Sequence, residues 1–247
     1  MRTLISMILF VVLPVIASAA GGEGYSLDKA PIDLDSKASL QRGAKLFVNY
    51  CMGCHSAECQ RYNRMARDIG LTDEQVKENL IFTSAKVGDT MKTAMPKAEA
   101  KKWFGAAPPD LSVITRSRGA DYIYTYLRTF YVDESRPWGV NNAVFPSVGM
   151  PHVLWQLQGL QKPVYETHKS PDGHEVHVLK DFELVKPGSL TSREFNDAMG
   201  ELVNFLTYIA EPIQSERKHI GIWVLLFLVV AFAVFYPLKK EYWKDIH

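Results

Sequence analysis

The sequence predicts a mainly α-helical domain with a short β-hairpin, followed by one C-terminal helix that spans a membrane. Apolar residues recur at helical spacing in the segments 37–47 and 195–209, and the run 220–238 contains no charged residue. The chain has 247 residues, enough for one substantial domain or two small ones. Its net charge is +1, so it lacks the basic excess of nucleic-acid-binding proteins, and we predict no nucleic-acid partner.

Residues 1–20 have the pattern of a secretory signal peptide. Arg2 supplies the positive charge, residues 5–15 are apolar, and Ala17-Ser18-Ala19 has the small residues of a cleavage site. We therefore expect this segment to be removed and the domain at 21–219 to be exported. A short membrane anchor is the alternative, but the apolar stretch is shorter than a membrane span requires.

Three helix starts can be identified from their N-cap residues. Ser36 precedes a segment with apolar residues at helical spacing. Thr72 and Thr191 are each followed three residues later by a side chain that can complete a capping box, Gln75 and Glu194. The helix after Thr191 is expected to end at the next proline and to lead into the membrane span.

The middle of the domain has a less regular pattern. Asp110 follows two prolines and can cap the segment after it. Residues 121–132 are rich in aromatic residues, and we predict a helix there. Residues 133–163 contain prolines and glycines with little periodicity, which predicts a long loop folded against the rest of the domain. Residues 164–185 predict a β-hairpin around Pro171-Asp172-Gly173.

The run 220–238 predicts a transmembrane helix. At about 1.5 Å per residue it spans roughly 28 Å, close to the thickness of a hydrocarbon core. A buried core helix is the alternative. Basic residues are slightly more frequent after the run than before it, which predicts a cytoplasmic tail at 239–247 and an external domain. The flanking residues are the aromatic Trp223, Tyr236 and Trp243, the preceding Arg217 and Lys218, and the following Lys239, Lys240 and Lys244.

The run Cys51-Met52-Gly53-Cys54-His55 has the pattern C-x-x-C-H, which is typical of covalent haem attachment. Two thiols one helical turn apart can each add to a vinyl group of one porphyrin, and the adjacent His55 can then ligate the iron. Redox dithiols and zinc sites also use C-x-x-C. However, a zinc site needs a second ligand pair, and a redox dithiol needs a βαβ context. We therefore predict one haem c. We expect the remaining cysteine, Cys59, to be a buried thiol, with a rare intermolecular disulfide as the alternative.

A haem used for electron transfer normally has a second axial ligand, and three residues are candidates. Met150 lies between Gly149 and Pro151, a context that presents its side chain from a loop. Met95 precedes Pro96 in a similar context nearer the C-x-x-C-H run. His152 lies two residues after Met150. The residues alone leave these three candidates open.

Four further segments follow the C-x-x-C-H run in a distinctive order: Ala107-Pro108-Pro109-Asp110-Leu111-Ser112, Asp121-Tyr122-Ile123-Tyr124, Asn141-Asn142-Ala143-Val144-Phe145-Pro146 through Gly149-Met150-Pro151, and Ala210-Glu211-Pro212. Together they resemble cytochrome c1 of the quinol–cytochrome c oxidoreductase (bc1) complex, of proteobacterial type. The resemblance covers nearly the whole mature chain. It implies a class I cytochrome c-like haem domain, mainly α with inserted loops.

The resemblance also implies roles for individual residues. Met150 would be the sixth ligand, Arg118 would pair with a haem propionate, and Pro109 would pack near the haem. The chain departs from the family's vertebrate members at Phe130, where they have a tyrosine. Tyr131 or Tyr126 is then the alternative donor to a propionate.

The implied function is that of a single-electron relay. The haem domain would accept electrons from the Rieske 2Fe–2S protein and pass them to a c-type cytochrome, while quinol oxidation belongs to the cytochrome b and Rieske subunits. The chain would belong to a quinol–cytochrome c reductase, a dimeric complex of the bacterial inner membrane, with its haem domain in the periplasm. The alternatives are another membrane-anchored c-type cytochrome, a haem enzyme with an open iron site, and a structural membrane-anchored module.

Overall fold

The computed structural model describes residues 25–83, 85–169 and 175–246. The predicted signal peptide and the predicted hairpin turn lie outside these residues. A π-helical turn (Phe47–Cys51) follows the first helix, and a 3-10 turn (Lys244–Ile246) follows the last. In chain order the helices are α1 (Lys37–Leu46), α2 (Tyr62–Ile69), α3 (Asp73–Asn79), α4 (Lys97–Phe104), α5 (Ile114–Arg118), α6 (Ala120–Arg128), α7 (Trp155–Gln158), α8 (Ser192–Ala210) and α9 (Gln214–Tyr242), and the strands are β1 (Ala57–Arg61), β2 (Thr90–Met91), β3 (Phe130–Val132), β4 (Val140–Asn142), β5 (Gly159–Lys169) and β6 (Glu175–Pro187).

Helices α1 and α8 pack at close range, and this contact organises the domain. A Cβ atom on Gly43 of α1 would lie 2.2 Å from the carbonyl oxygen of Glu201 in α8, so a glycine is needed for the two backbones to approach this closely. One turn further on, the buried rings of Phe47 and Phe205 are 5.7 Å apart. The α1–α8 pair therefore fixes the position of the chain just before Cys51.

The predicted helix starts are confirmed. The side chain of Ser36 accepts a hydrogen bond of 3.4 Å from the backbone N–H of Ser39. Both predicted capping boxes are complete, and in the second the backbone N–H of Thr191 donates to the carboxylate of Glu194 at 2.8 Å. Each cap accepts a hydrogen bond from a backbone N–H that has no partner within the helix, and this contributes about 1 kcal/mol to stability.

The core lies among α1, α2, α6 and α8, as expected for a mainly α domain. Burying one large apolar side chain contributes about 1.5–3 kcal/mol relative to leaving it exposed. The three small antiparallel pairs, β1–β2, β3–β4 and β5–β6, are attached around this helical core. Among the largest fully buried side chains of the core are Phe47, Tyr62, Met65, Ile69, Leu202 and Phe205.

The helix predicted over 121–132 is wrong at its C-terminal end. Helix α6 ends at Arg128, and the next residues form β3, which pairs antiparallel with β4 so that Phe130 lies opposite Asn142. Phenylalanine, tyrosine and valine all favour strands. Their partner strand lies in the segment 133–163, which was predicted as a loop and also contains α7. Local periodicity cannot reveal a pairing of this kind.

The predicted β-hairpin is confirmed and is longer than expected. Gly159, at its base, has a φ of 92°, and a Cβ atom there would lie 2.2 Å from the carbonyl oxygen of Lys186, so glycine is required at this position. The side-chain amide of Gln161 donates to the carbonyl oxygens of Arg128 and Phe130 at 3.0 and 2.8 Å. The hairpin is therefore tied at its base to the end of α6 and to β3.

Helix α9 runs for 29 residues and contains the apolar run 220–238. Within the described residues it is the one helix long and apolar enough to cross a membrane, and its apolar side chains are exposed, unlike those of a core helix. At its start, Nη2 of Arg217 donates to the carboxylate of Glu211 at 3.0 Å, and Nη1 of Arg116 lies 3.8 Å from the same carboxylate. The bonds from Arg217 lower the pKa of Glu211 to about 2. These ion pairs join the start of α9 to α5 and to the end of α8.

Candidate functional site

One cavity of about 370 Å³ brings the predicted site residues together. It is bounded by the π-helical turn, by α5, α6 and α8, and by the loop 143–151. Its volume lies in the range of small-molecule and cofactor sites, and its walls are mainly apolar. All six predicted site residues line it: Cys51, Cys54, His55, Pro109, Arg118 and Met150.

The C-x-x-C-H run begins at Cys51, the last residue of the π-helical turn. The backbone N–H groups of Cys54 and His55 both donate to the carbonyl oxygen of Cys51, at 3.1 and 2.8 Å, so the run forms one tight turn. Burial raises the pKa of the Cys51 thiol to about 12 and raises the pKa of Cys54 as well. Both thiols are therefore uncharged at neutral pH, which suits an apolar cavity.

His55 is oriented by a backbone carbonyl. Its Nδ1 lies 2.7 Å from the carbonyl oxygen of Pro109. Because a carbonyl oxygen can only accept, Nδ1 carries the proton and Nε2 keeps its lone pair. Burial also lowers the pKa of His55 and so favours the neutral ring. Pro109 therefore does more than pack beside the cavity, since its carbonyl selects the tautomer that a metal ligand needs.

The segment 107–112 is held in place by Asp110. One carboxylate oxygen accepts from the backbone N–H of Glu58 at 2.9 Å, and the other accepts from the backbone N–H of Ser112 at 2.8 Å. Asp110 thus closes a turn and joins it to β1, which begins two residues after His55. Asp110 therefore caps the turn that follows it, as expected; it caps no helix, because α5 begins only at Ile114.

Cys59 is exposed, which contradicts the expectation of a buried thiol. In β1, Ala57 and Gln60 are buried, whereas Glu58 and Cys59 face solvent. The pairing of β1 with β2 changes register within this strand, so strict alternation does not hold. Cys59 also lies outside the cavity lining.

Two asparagines hold the loop 143–151, which bears Met150. Asn142 is fully buried, and its Oδ1 accepts from the backbone N–H groups of Val144 and Phe145 at 3.0 and 3.1 Å. Its Nδ2 donates to the carbonyl oxygen of Tyr126 at 2.7 Å. Asn142 therefore ties the loop to α6. Sequence reasoning noted the Asn-Asn segment but missed this role; the available signal was two adjacent amides in a segment of apolar residues without periodicity.

The neighbouring Asn141 fixes the turn just before Met150. Its Oδ1 accepts from the backbone N–H of Ser147 at 2.8 Å, and the carbonyl oxygen of Ser147 accepts from Nη2 of Arg136 at 3.0 Å. Ser147 has a φ of 63°, in the left-handed region that is uncommon for residues other than glycine. The two side-chain bonds hold this conformation in place, two residues before the Gly149-Met150 pair.

The three candidates for the second axial ligand occupy different places. Met150 lines the cavity, and the hydroxyl of Tyr126 donates to its Sδ at 3.3 Å. Met95 lines a separate small recess. His152 is buried outside the cavity lining, stacked on Phe130 with 4.9 Å between ring centres, and burial lowers its pKa to about 4. Of the three, only Met150 lines the large cavity.

The predicted anion-binding residue, Arg118, lies at the cavity with an exposed side chain. Its guanidinium carbon is 5.7 Å from the centre of the Tyr122 ring. Within the described ranges it forms no ion pair. Of the alternative donors to a propionate, Tyr131 lies outside the cavity lining, and the hydroxyl of Tyr126 donates to the Met150 sulfur instead.

The donor set fits an iron porphyrin. Two thiols and an imidazole with a free lone pair lie on one turn of the chain, beside apolar walls. A thioether sulfur lies at the same cavity on a loop held by buried hydrogen bonds. A guanidinium without an ion-pair partner among the described residues suits the carboxylates of a porphyrin.

Comparison with known proteins agrees with this chemistry. The family model described as "Cytochrome C1 family" matches residues 28–159 and 179–246. A cytochrome c1 of Allochromatium vinosum is 50% identical over 247 residues, covering 100% of both chains. A protein of Nitrosomonas europaea described as "Ammonia monooxygenase gamma subunit" is 46% identical, again over 100% of both chains. The mitochondrial cytochrome c1 heme protein of Neurospora crassa is 31% identical over 231 residues, covering 83% of this chain and 61% of that protein.

The extent of these matches decides the family. The matched residues include the C-x-x-C-H run, the loop that bears Met150, and the whole of α9. The single apolar helix of the described chain fits a protein that crosses the membrane once. The chain belongs to the cytochrome c1 family, and is therefore a haem-bearing electron-transport subunit of the bc1 complex, an oxidoreductase of the respiratory chain that also contains cytochrome b.

Proposed function

We propose that this chain carries one covalently attached haem c and relays single electrons from the Rieske 2Fe–2S protein to a c-type cytochrome. The observation that carries the proposal is the single cavity lined by Cys51, Cys54, His55 and Met150. The relay would serve quinol oxidation coupled to proton translocation. The reductase activity as a whole belongs to the complex, since no bond-making chemistry is assigned to this chain.

The axial positions of the iron would be filled by His55 and Met150. A haem, when bound, supplies a one-electron iron couple whose potential depends on its axial ligands. His55 would bind through Nε2, because the carbonyl of Pro109 holds the proton on Nδ1. Met150 would bind through Sδ, and thioether sulfur favours the reduced state relative to a second histidine. With both positions taken by protein atoms, the chain offers substrate no open site.

The remaining site residues would hold the porphyrin at its edges. Cys51 and Cys54 would each form a thioether bond, which leaves no free thiol in the cavity. Arg118 would pair with a propionate, because its guanidinium lies at the cavity and has no ion-pair partner among the described residues. Pro109 would contribute both its ring, at the cavity wall, and its carbonyl, which orients His55.

The arrangement of the chain in the membrane follows from its targeting patterns. Residues 1–20 would be removed on export, residues 21–219 would form the periplasmic haem domain, and residues 220–238 would cross the bacterial inner membrane. Residues 239–247 would remain in the cytoplasm, in keeping with the lysines that follow the span. The partners would be cytochrome b, the Rieske protein and a c-type cytochrome acceptor, in a dimeric complex.

The proposal is tested by Met150→Leu, with Met95→Leu as the matched control. Leucine fills a similar volume but cannot bind iron. Met150→Leu should abolish the sulfur-to-iron charge-transfer band of the oxidised protein and lower its reduction potential, while the haem stays covalently attached. Met95→Leu should change neither property. The reverse pattern would transfer the ligand role to Met95, and the absence of covalent haem in the wild type would refute the proposal as a whole.

A second candidate comes from the Nitrosomonas europaea relative, whose description names a subunit of ammonia monooxygenase. On that reading this chain would serve a monooxygenase in addition to the bc1 complex. Purifying the native complex through a tag on this chain separates the two. Co-purification of a b-type cytochrome and a 2Fe–2S protein, with quinol–cytochrome c reductase activity, supports the first candidate, whereas ammonia oxidation by a complex that contains this chain supports the second.

A further inference from the structure

The hydroxyl of Tyr126 is fixed at the sulfur of Met150. Tyr126 lies on α6, lines the cavity, and donates to Sδ of Met150 at 3.3 Å. Its ring is stacked on Tyr122, with 6.3 Å between centres and 10° between planes, and forms a T-shaped pair with Phe130, with 5.2 Å between ring centres. Its backbone carbonyl accepts from the buried amide of Asn142. The phenol is therefore held by the contacts of its ring with Tyr122 and Phe130 and by the hydrogen bond to its backbone carbonyl.

The direction of this hydrogen bond follows from the two groups. A thioether sulfur carries no hydrogen, so the hydroxyl of Tyr126 must be the donor. Burial, with a smaller effect of Tyr122, raises the pKa of Tyr126, so the phenol keeps its proton at neutral pH. The sulfur of Met150 has two lone pairs. One is engaged by Tyr126, and the other remains for a metal ion.

We infer that Tyr126 is a positioning residue for Met150, and that its hydrogen bond to Sδ sets how strongly the sulfur donates electrons to the iron. The inference rests on the proposed function, in which Met150 is an iron ligand. A hydrogen bond draws electron density from the sulfur. Oxidised iron gains more from sulfur donation than reduced iron does, so the bond raises the reduction potential of the site.

The test removes the hydroxyl and keeps the ring. In Tyr126→Phe, the oxidised-to-reduced ratio at a given potential should rise, by at most about fivefold, which is the full weight of one neutral hydrogen bond. For a one-electron couple at 59 mV per tenfold, this upper limit corresponds to a potential about 40 mV lower. The charge-transfer band of the sulfur ligand should remain, because Met150 is still bound.

A matched control lies on the same helix. Tyr124 donates its hydroxyl to the carbonyl oxygen of Asn196 at 3.4 Å and does not line the cavity. Tyr124→Phe removes a comparable hydrogen bond without touching Met150, so the potential should not change. If both variants shift the potential equally, the effect is a general consequence of losing a phenol on α6, and the inference is overturned.

A second substitution tests the sign of the effect. Incorporating 3-fluorotyrosine at position 126 makes the hydroxyl a stronger donor while preserving its reach, so the potential should rise. The inference is overturned if the potential stays unchanged in both position-126 variants, or if it moves in the same direction in both. Loss of the charge-transfer band in Tyr126→Phe also overturns it. Met150→Leu, measured in the same series, separates the two claims: if it leaves the band intact, the ligand assignment itself has failed.

Discussion

Replacing Asn142 by alanine tests whether one buried amide holds the loop that bears Met150. Asn142 is 0% exposed and makes hydrogen bonds to the backbone groups of Val144, Phe145 and Tyr126. Alanine would leave the enclosed N–H of Val144 without a partner, at a cost of about 1–3 kcal/mol. Phe145 is half exposed, so water can reach its N–H at a smaller cost. We therefore expect Asn142→Ala to lose about 2–3 kcal/mol of unfolding free energy.

The loss is measured by urea denaturation of the haem-loaded full chain in detergent. Asn79→Ala is the control, because Asn79 is exposed and its amide donates to the carbonyl oxygen of Gln75, one turn earlier in α3. For this variant we expect the unfolding free energy to change by no more than about 0.5 kcal/mol. A second readout is the charge-transfer band of the sulfur ligand, which should weaken as the loop loosens around Met150. A loss in Asn142→Ala no larger than in the control, with the band unchanged, would refute the reasoning.

Two further substitutions test the packing of the domain and its junction with the membrane helix. Gly43→Ala should destabilise the fold by about 1–3 kcal/mol in urea denaturation, because the added Cβ atom would meet the backbone of Glu201. Gly88 lies in open space, so Gly88→Ala should not destabilise the fold. Equal losses in the two variants would contradict the close α1–α8 contact. For Glu211, the folded protein keeps the carboxylate charged down to a pKa of about 2, against an ordinary value of 4.5. Its ion pairs thus stabilise the fold fully above pH 4.5, and this contribution is lost as the pH falls towards 2. Glu211→Gln should lower the unfolding temperature at pH 7, and should remove the part of the stability loss at low pH that comes from protonation of Glu211. Parallel pH profiles of the unfolding temperature for the wild type and the variant would disprove this prediction.

The features predicted correctly from the sequence are those that depend on residues close together in the chain. The capping boxes at Thr72 and Thr191 need only a partner three residues away, and both are complete. The C-x-x-C-H run likewise forms its own turn, closed by the carbonyl of Cys51. The run 220–238 needs no partner at all, because its length and composition suffice to predict a membrane span.

The features predicted wrongly depend on residues far apart in the chain. Helix α6 ends at Arg128 because the following strand pairs with residues 140–142, which no local pattern indicates. Cys59 was expected to be buried because free cysteines usually are, but it is exposed on β1, whose pairing with β2 changes register. The role of Asn142 was missed because its amide connects a loop to a helix that precedes it by sixteen residues at Tyr126.

The hydrogen bonds around the cavity suit a site that exchanges electrons without rearrangement. His55 is oriented by a carbonyl 54 residues away, and the loop of Met150 is held to α6 by Asn142 and by the hydroxyl of Tyr126. In both cases the restraint comes from an element outside the one that carries the proposed ligand. A change of charge at the cavity therefore acts on side chains already held in place by the fold, which limits the motion that accompanies each electron. Most of the hairpin β5–β6 lies outside the two matched family segments, and none of its described residues lines the cavity. The cavity is therefore built by the helical core and the loops attached to it.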